Sequence, residues 1–167
     1  MPDVCDLILD DHEVLRRRFA ELDELRDADA ETLAARWRPL ADLLELHAAT
    51  EEEIFYPELL RSGTKGEDET EDAITDHNKI RDAVRRAAAA EPAGDGWWQA
   101  VRDAREANSD HMAEEERGAL ADLRAHDQRD ERLRLGDRWV AFTTEHAGMR
   151  GLRAEDKDVD SYIERSG

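Results

Sequence analysis

Apolar positions along the chain recur at the three- and four-residue spacing of amphipathic α-helices, and no stretch alternates with the period of two typical of a strand. Glycine, proline and acidic residues interrupt this pattern around residues 28, 64 and 94. We therefore predict helices over about residues 3–26, 30–61, 67–91, 96–126 and 128–147. The charged tail that follows has room for one short helical turn.

Short loops between long amphipathic helices favour an antiparallel bundle. The predicted fold class is all-α: an antiparallel up-down-up-down four-helix bundle with an additional C-terminal helix. Residues 1–127 would form the bundle, and residues 128–167 would form a C-terminal helix and charged tail, packed on the bundle or extending from it.

Two features leave alternatives open. Pro39 and Pro57 lie inside the second predicted helix, and either could kink it, or Pro39 could start its main part after a short pre-helix. Leu135, Trp139 and Phe142 form an apolar stripe on the last helix. This stripe could cover an open edge of the bundle or make a dimer contact.

Each of the four bundle helices carries one histidine within its apolar stripe, where a core side chain belongs. These histidines are His12, His47, His77 and His111. Glu51 and Glu115 follow His47 and His111 by four residues. Because four residues turn an α-helix by about 400°, each glutamate shares a face with its histidine.

The six residues are predicted to lie at one height. In an antiparallel hairpin, two residues at the same height lie equally far from the turn, so their midpoint should fall in the loop. It does so for three pairs: His12 with His47 beside Asp29, Glu51 with His77 at Thr64, and His77 with His111 at Gly94. We therefore expect the four imidazoles and two carboxylates to meet in the core.

Such a set in an apolar core would carry a large desolvation cost unless it is paired. Imidazole nitrogen and carboxylate oxygen are ligands of first-row transition metals, and two carboxylates suit a pair of bridged ions. We predict a dinuclear metal site, with iron first, manganese second and zinc third. A single histidine of this kind would indicate only a hydrogen-bonded core residue, so the prediction depends on the joint pattern. The neighbouring Glu52, Glu53, Glu114 and Glu116 are expected on the solvent face or around the ligands.

Composition excludes several classes of partner. The chain has 43 acidic and 24 basic residues, a formal charge of -19, and no basic patch for nucleic acid or an anionic membrane. No stretch approaches the roughly 18 apolar residues of a membrane span. Cys5 is the only cysteine, so it is expected to pack at a helix start rather than form a disulfide. We expect a cytoplasmic protein, either a monomer or a homodimer.

Four motifs resemble the hemerythrin-like (HHE cation-binding) family over about residues 5–125. They are "DDHEVL", "HAATEEEIFYP", "TDHNKI" and "HMAEEERGALADL". The resemblance implies a four-helix bundle around two iron ions joined by an oxo or hydroxo bridge. It also implies that the four histidines are terminal ligands and that Glu51 and Glu115 bridge the ions. Members of the family carry or sense O2, handle peroxide or nitric oxide, or respond to iron.

One position departs from the pattern of the O2-carrying members. They have a second histidine one turn before His77, where this chain has Ala73, and Arg81 is no substitute. The departure leaves a place for water, a small ligand or another side chain. Tyr56 could be an extra ligand, a hydrogen-bond donor beside the ligands, or a partly buried aromatic at a helix end. His126 and His146 are expected to be structural or exposed.

A more open di-iron centre favours redox turnover over reversible O2 carriage. The leading functional hypothesis is peroxidase- or catalase-like removal of peroxide, O2 or nitric oxide. Non-enzymatic O2 binding, iron or redox sensing and iron buffering form a second class, and a metal-free interaction module forms a third. Ferritin-type storage is disfavoured because ferritin-like sites use Glu-x-x-His pairs, and a zinc protease is disfavoured because HExxH is absent.

Overall fold

The computed structural model of the protein describes residues 2–167, which contain helices and no strand. The elements are α1 (Val4–Glu24), α2 (Ala30–Thr50), a π-helical turn (Glu51–Phe55), α3 (Tyr56–Ser62), α4 (Gly66–Ala89), α5 (Asp95–Arg117), α6 (Ala119–His126), α7 (Arg129–Glu145), a 3₁₀ turn (Ala147–Met149) and α8 (Val159–Ser166). The predicted all-α fold class is confirmed, and the up-down order of the bundle stays a prediction. None of the helices in this range combines the length and apolar character that a membrane span requires.

Aspartate side chains fix where two of the long helices begin. Asp3 accepts a hydrogen bond from the amide of Cys5 at 3.0 Å, and Asp29 accepts one from the amide of Thr32 at 2.8 Å. Each cap satisfies an amide that has no partner within its helix and is worth about 1 kcal/mol. Cys5 itself is buried in the first turn of α1, as the sequence predicted, and burial together with Asp3 raises its pKa to about 12.

The second predicted helix is divided by the π turn. Pro39 lies inside α2 without ending it, whereas Pro57 is the second residue of α3, which follows the turn. Proline has no amide hydrogen, so the regular α-helical hydrogen bonding cannot pass through Pro57. The amide of Tyr56 instead donates to the carbonyl of Glu51, five residues earlier.

Two sequence predictions of helix extent are wrong. The helix predicted over 96–126 ends at Gly118, whose added Cβ would lie 2.4 Å from a carboxylate oxygen of Glu69. The break therefore allows a close approach of α4 that sequence periodicity does not reveal. The tail forms α8, an eight-residue helix rather than one turn, and Asp158 caps it by accepting from the amide of Ser161 at 3.0 Å.

The core consists of two apolar clusters with polar residues between them. One, the Trp97 cluster, joins α1, α2, α4 and α5 and includes Phe19 and Trp37. The other, the Phe55 cluster, joins α1, the π turn, α3, α4, α6, α7 and α8. On α1, Ile8 belongs to the Phe55 cluster and Leu15 to the Trp97 cluster, with His12 between them in the chain. We call the buried polar residues between the clusters the polar layer.

Helix α7 packs on the bundle. Leu135 and Trp139 belong to the Phe55 cluster, and the Trp139 ring lies 5.7 Å from the His47 ring. This packing favours the bundle-covering alternative for the apolar stripe. The predicted domain boundary between residues 127 and 128 stays a prediction.

Replacing Trp139 with alanine is expected to destabilise the protein by about 3–5 kcal/mol, because it leaves a large cavity between α7 and the bundle. Val140 is the neighbouring control, since it is 45% exposed. Val140→Ala should change the free energy of unfolding by no more than about 0.5 kcal/mol. Urea denaturation, monitored by circular dichroism, measures the free energy of unfolding of both variants. Equal, small losses would show that α7 is not part of the core.

Candidate metal centre

All six predicted ligands lie in the polar layer, and none is more than 3% exposed. Glu51 is at the centre of the cluster. Its Oε1 lies 2.8 Å from His47 Nε2, and its Oε2 lies 3.0 Å from His77 Nε2 and 3.4 Å from His111 Nε2. The carboxylate of Glu51 therefore touches three of the four imidazoles.

Glu115 occupies the other side of the cluster. Its Oε2 lies 3.2 Å from His12 Nε2 and 4.0 Å from His111 Nε2. Its Oε1 accepts a hydrogen bond of 2.8 Å from the hydroxyl of Tyr56, which is 1% exposed. Burial and the carboxylates of Glu115 and Glu51 raise the pKa of Tyr56 well above its usual range, so the phenol keeps its proton.

The potential ligand atoms form two groups, and within each group they all lie within 4.8 Å of one another. The groups are His12, His47, Glu51 and Glu115, and Glu51, His77 and His111. Only Glu51 belongs to both. The arrangement therefore offers two adjacent metal positions, with Glu51 as the residue best placed to bridge them.

Several of these atoms are buried without a hydrogen bond among residues 2–167. They are Nε2 of His12 and His47, both oxygens of Glu51, and Oε2 of Glu115. They lie close to one another, but not at the angles of a hydrogen bond. Each unsatisfied buried group costs about 1–3 kcal/mol, and more where it is charged. A cation bound between them would accept their lone pairs and offset that cost, so the residues fit a metal ion.

Three carboxylates outside the cluster hold the histidines in place. The contacts to Nδ1 are His12 with Glu116 at 2.8 Å, His47 with Asp11 at 3.3 Å, and His77 with Glu52 at 2.8 Å. An ionised carboxylate only accepts, so Nδ1 donates in each pair. This leaves the Nε2 atoms facing the interior of the cluster. Metal-bound histidines in proteins are commonly oriented in this way.

Sequence reasoning identified some of these outer residues and missed others. Of the four flanking glutamates, Glu52 and Glu116 contact histidines, whereas Glu53 and Glu114 are exposed. Asp11 was missed, although an acidic residue directly before a candidate ligand could have indicated it. The role of Arg81 was also missed: it is 3% exposed, and its Nη2 lies 2.7 Å from both oxygens of Glu52.

Contacts with the carboxylates raise the pKa of two histidines. Burial lowers the pKa of His47, but Glu51 and Asp11 outweigh it and raise the pKa well above its usual value. Burial opposes protonation of His77 as well, yet Glu51 and Glu52 raise its pKa to about 9. A metal ion must displace these protons, so metal affinity increases with pH.

The two remaining histidines take no part in the cluster. His126 Nδ1 donates to the carbonyl of Asp122 at 2.9 Å, and His146 Nδ1 donates to the carbonyl of Arg150 at 2.8 Å. Both bonds lie within their own stretch of chain. They are local structural contacts.

A narrow crevice reaches the cluster beside Ala73. Its inner wall contains Tyr56, His111 and Glu115, and its remaining lining residues are Glu69, Asp72, Glu114 and Ala119. The cavity volume is about 10 Å³, which is room for the centre of about one water molecule. Ala73 is thus the small side chain at the point where the cluster can be reached.

The family model of the hemerythrin HHE cation binding domain matches residues 3–123. The chain belongs to this family. No significant match was found among curated proteins or among solved structures. The matched range of the HHE domain contains all six residues of the cluster and ends before α7 and α8.

The family and the geometry agree on the kind of site. An HHE domain with a buried cluster of imidazoles and carboxylates fits a metal-binding protein, and the family makes iron the first expected metal. The number of ions, their identity and the role of each of the six residues as a ligand stay predictions.

Proposed function

We propose that this HHE domain holds two iron ions and turns over small oxidants, with hydrogen peroxide as the first candidate and O2 or nitric oxide as the others. The observation that carries the proposal is the set of buried nitrogen and oxygen atoms without hydrogen bonds, next to a small crevice. Such a set is costly in a protein that binds no cation.

Two groups of residues would hold the ions. His12, His47, Glu51 and Glu115 would hold one, and His77 and His111 would hold the other together with Glu51. The second position has fewer protein ligands, and His111 also lines the crevice at Ala73. A bound iron pair would supply the redox chemistry that such turnover requires.

The protein's own residues control what reaches the site. The two apolar clusters lie on either side of the polar layer, and the crevice has room for the centre of about one water molecule. Tyr56 is one of the residues that line the crevice. Its hydroxyl donates its one proton to Glu115 and so orients that carboxylate within the cluster.

The test is peroxide consumption by iron-loaded protein, with O2 release measured at the same time. Disproportionation of two peroxide molecules to O2 and two waters needs no other reductant, so O2 release indicates catalase-like turnover. Consumption only in the presence of an added electron donor indicates peroxidase-like turnover. Protein that holds two irons and reacts with neither peroxide nor nitric oxide would contradict the proposal.

Reversible O2 binding is a second candidate, because members of the hemerythrin family that the chain belongs to bind O2. Iron sensing and iron buffering belong to the same non-enzymatic class. Reduced protein exposed to O2 and then degassed should recover its ferrous spectrum if it is a carrier, and should stay ferric if it is a redox enzyme.

We also propose a cytoplasmic monomer or homodimer, which ultracentrifugation and cell fractionation would test.

Tyr56→Phe is expected to keep the bound iron and lower peroxide turnover by about 10- to 100-fold, because it removes the hydroxyl that orients the carboxylate of Glu115 but preserves the ring. Iron content and turnover are measured on the same sample. Turnover equal to that of the unmodified protein would show that orientation of Glu115 by the hydroxyl does not matter for the reaction. Loss of iron from this variant would instead show that the hydroxyl of Tyr56 is needed to hold the metal.

A further inference from the structure

The C-terminal part of the chain reaches the polar layer. Residues 155–162, which we call the C-terminal strap, lie outside the range matched by the family model. Lys157 Nζ lies 2.9 Å from Glu52 Oε2, and the hydroxyl of Tyr162 donates to the carbonyl of Glu52 at 2.6 Å. Tyr162 is 4% exposed. The strap thus holds both the side chain and the backbone of Glu52.

Two sets of contacts fix the strap on α4. The side-chain amide of Asn78 donates to the carbonyl of Lys157 at 2.8 Å and accepts from the amide of Lys157 at 2.9 Å. Arg85 donates to both carboxylate oxygens of Asp156, at 3.0 and 2.8 Å. Because Asn78 makes two hydrogen bonds to the backbone of Lys157 and Arg85 makes two to Asp156, the strap has one defined position on α4. These contacts place the side chain of Lys157 beside Glu52.

Glu52 connects the strap to the cluster. Its carboxylate is shared among His77 Nδ1, the guanidinium of Arg81 and the ammonium of Lys157. Glu52 is 3% exposed, so water screens these charges weakly. A change in any one partner therefore changes the pull that the carboxylate exerts on the Nδ1 proton of His77.

We propose that Lys157 and Tyr162 are positioning residues for the metal centre, acting through Glu52 on His77. This inference rests on the proposed metal centre. Lys157 draws negative charge away from His77, and Tyr162 fixes the backbone from which the Glu52 side chain extends. The strap thereby sets how strongly His77 Nε2 donates to a metal ion, and hence the reduction potential of bound iron.

Opposite changes follow from two substitutions. In Lys157→Met the Glu52 carboxylate pulls harder on the Nδ1 proton of His77. Nε2 of His77 then donates electron density more strongly to the metal ion, which stabilises oxidised iron. The reduction potential falls. In Glu52→Gln the negative charge is lost, so the potential rises, and Co²⁺ binds about 10- to 100-fold more weakly.

The experiment measures the reduction potential of the iron-loaded full chain and its Co²⁺ dissociation constant. Lys79→Met is the matched control, since Lys79 lies on α4 but pairs with Asp76 at 2.7 Å and has a 61% exposed side chain. Lys157→Arg preserves the charge and should restore the potential. An equal fall of the reduction potential in Lys79→Met and Lys157→Met, or no fall in either variant, overturns the proposal.

A metal-free measurement separates this inference from the proposed function. In protein with labelled histidine, nuclear magnetic resonance should show a slowly exchanging Nδ1 proton on His77. Its exchange with solvent should be slower in Lys157→Met, where Glu52 holds the proton more tightly, faster in Tyr162→Phe, where the backbone of Glu52 loses its anchor, and unchanged in Lys79→Met. Failure of the unmodified chain to bind Co²⁺ or iron would contradict the proposed function alone, whereas equal exchange in all variants would overturn the role of the strap.

Discussion

Replacing Glu51 with alanine should empty both metal positions together. Glu51 is the only residue that belongs to both groups of ligand atoms, and its two oxygens lie within 3.4 Å of three imidazoles. The loss of its carboxylate removes the bridge and leaves two groups of neutral imidazoles with Glu115 alone to balance the charge of the ions. We expect iron content to fall from about two ions per chain to below one. Mass spectrometry of metals on desalted protein measures this directly.

Two neighbours provide the controls for Glu51→Ala. Glu53 lies in the same π turn but is exposed, so Glu53→Ala should keep both ions. Glu115 belongs to one group, so Glu115→Ala should release mainly one ion. Full metal content in Glu51→Ala, with a folded circular dichroism spectrum, would show that the polar layer is not the metal centre.

Removing the metal should lower the melting temperature by about 8–16 °C. Ions bind the folded chain, in which the six residues meet, and have no comparable site in the unfolded chain. Free metal at a thousandfold excess over its dissociation constant stabilises the folded state by about 4 kcal/mol, and each kcal/mol corresponds to about 2–4 °C in a chain of this length. Differential scanning calorimetry with and without a chelator measures the shift.

The Glu51→Ala variant is also the control for thermal stability. If metal binding at the polar layer causes the stabilisation, the variant should melt at the same temperature with and without chelator. The same metal-dependent shift in both proteins would place the stabilising ion elsewhere. Equal melting temperatures for metal-loaded and metal-free unmodified protein would show that the layer is stable without ions.

The sequence predicts the centre of the molecule better than its periphery. Helical periodicity and the midpoints of the hairpins are enough to bring six residues to one height, because an α-helix rises a fixed distance per residue. The same reasoning misses the break at Gly118, which depends on the approach of Glu69 from another helix. It also misses the contact of Lys157 with Glu52, which lie 105 positions apart in the chain. Contacts of this kind are set by tertiary packing, which local pattern does not encode.

The π turn is an intermediate case. Pro57 indicated a disturbance of the second helix, but not its form. The structure shows that both Glu51 and Glu52 are buried there, one towards the histidines of the cluster and one towards the back of His77. Sequence spacing alone assigned an inward role to Glu51, and left Glu52 open between the solvent face and the surroundings of the ligands.

The polar layer has a consequence for how the helices align. Sliding α1 by one turn would bring Ile8 to the height of the glutamates and push His12 among the side chains around Phe19. Each long helix carries the same restriction, so slipped alignments would bury imidazoles without partners and expose carboxylates to hydrocarbon. A buried polar residue fixes the register of coiled coils by the same principle. The layer therefore disfavours slipped alignments of the bundle.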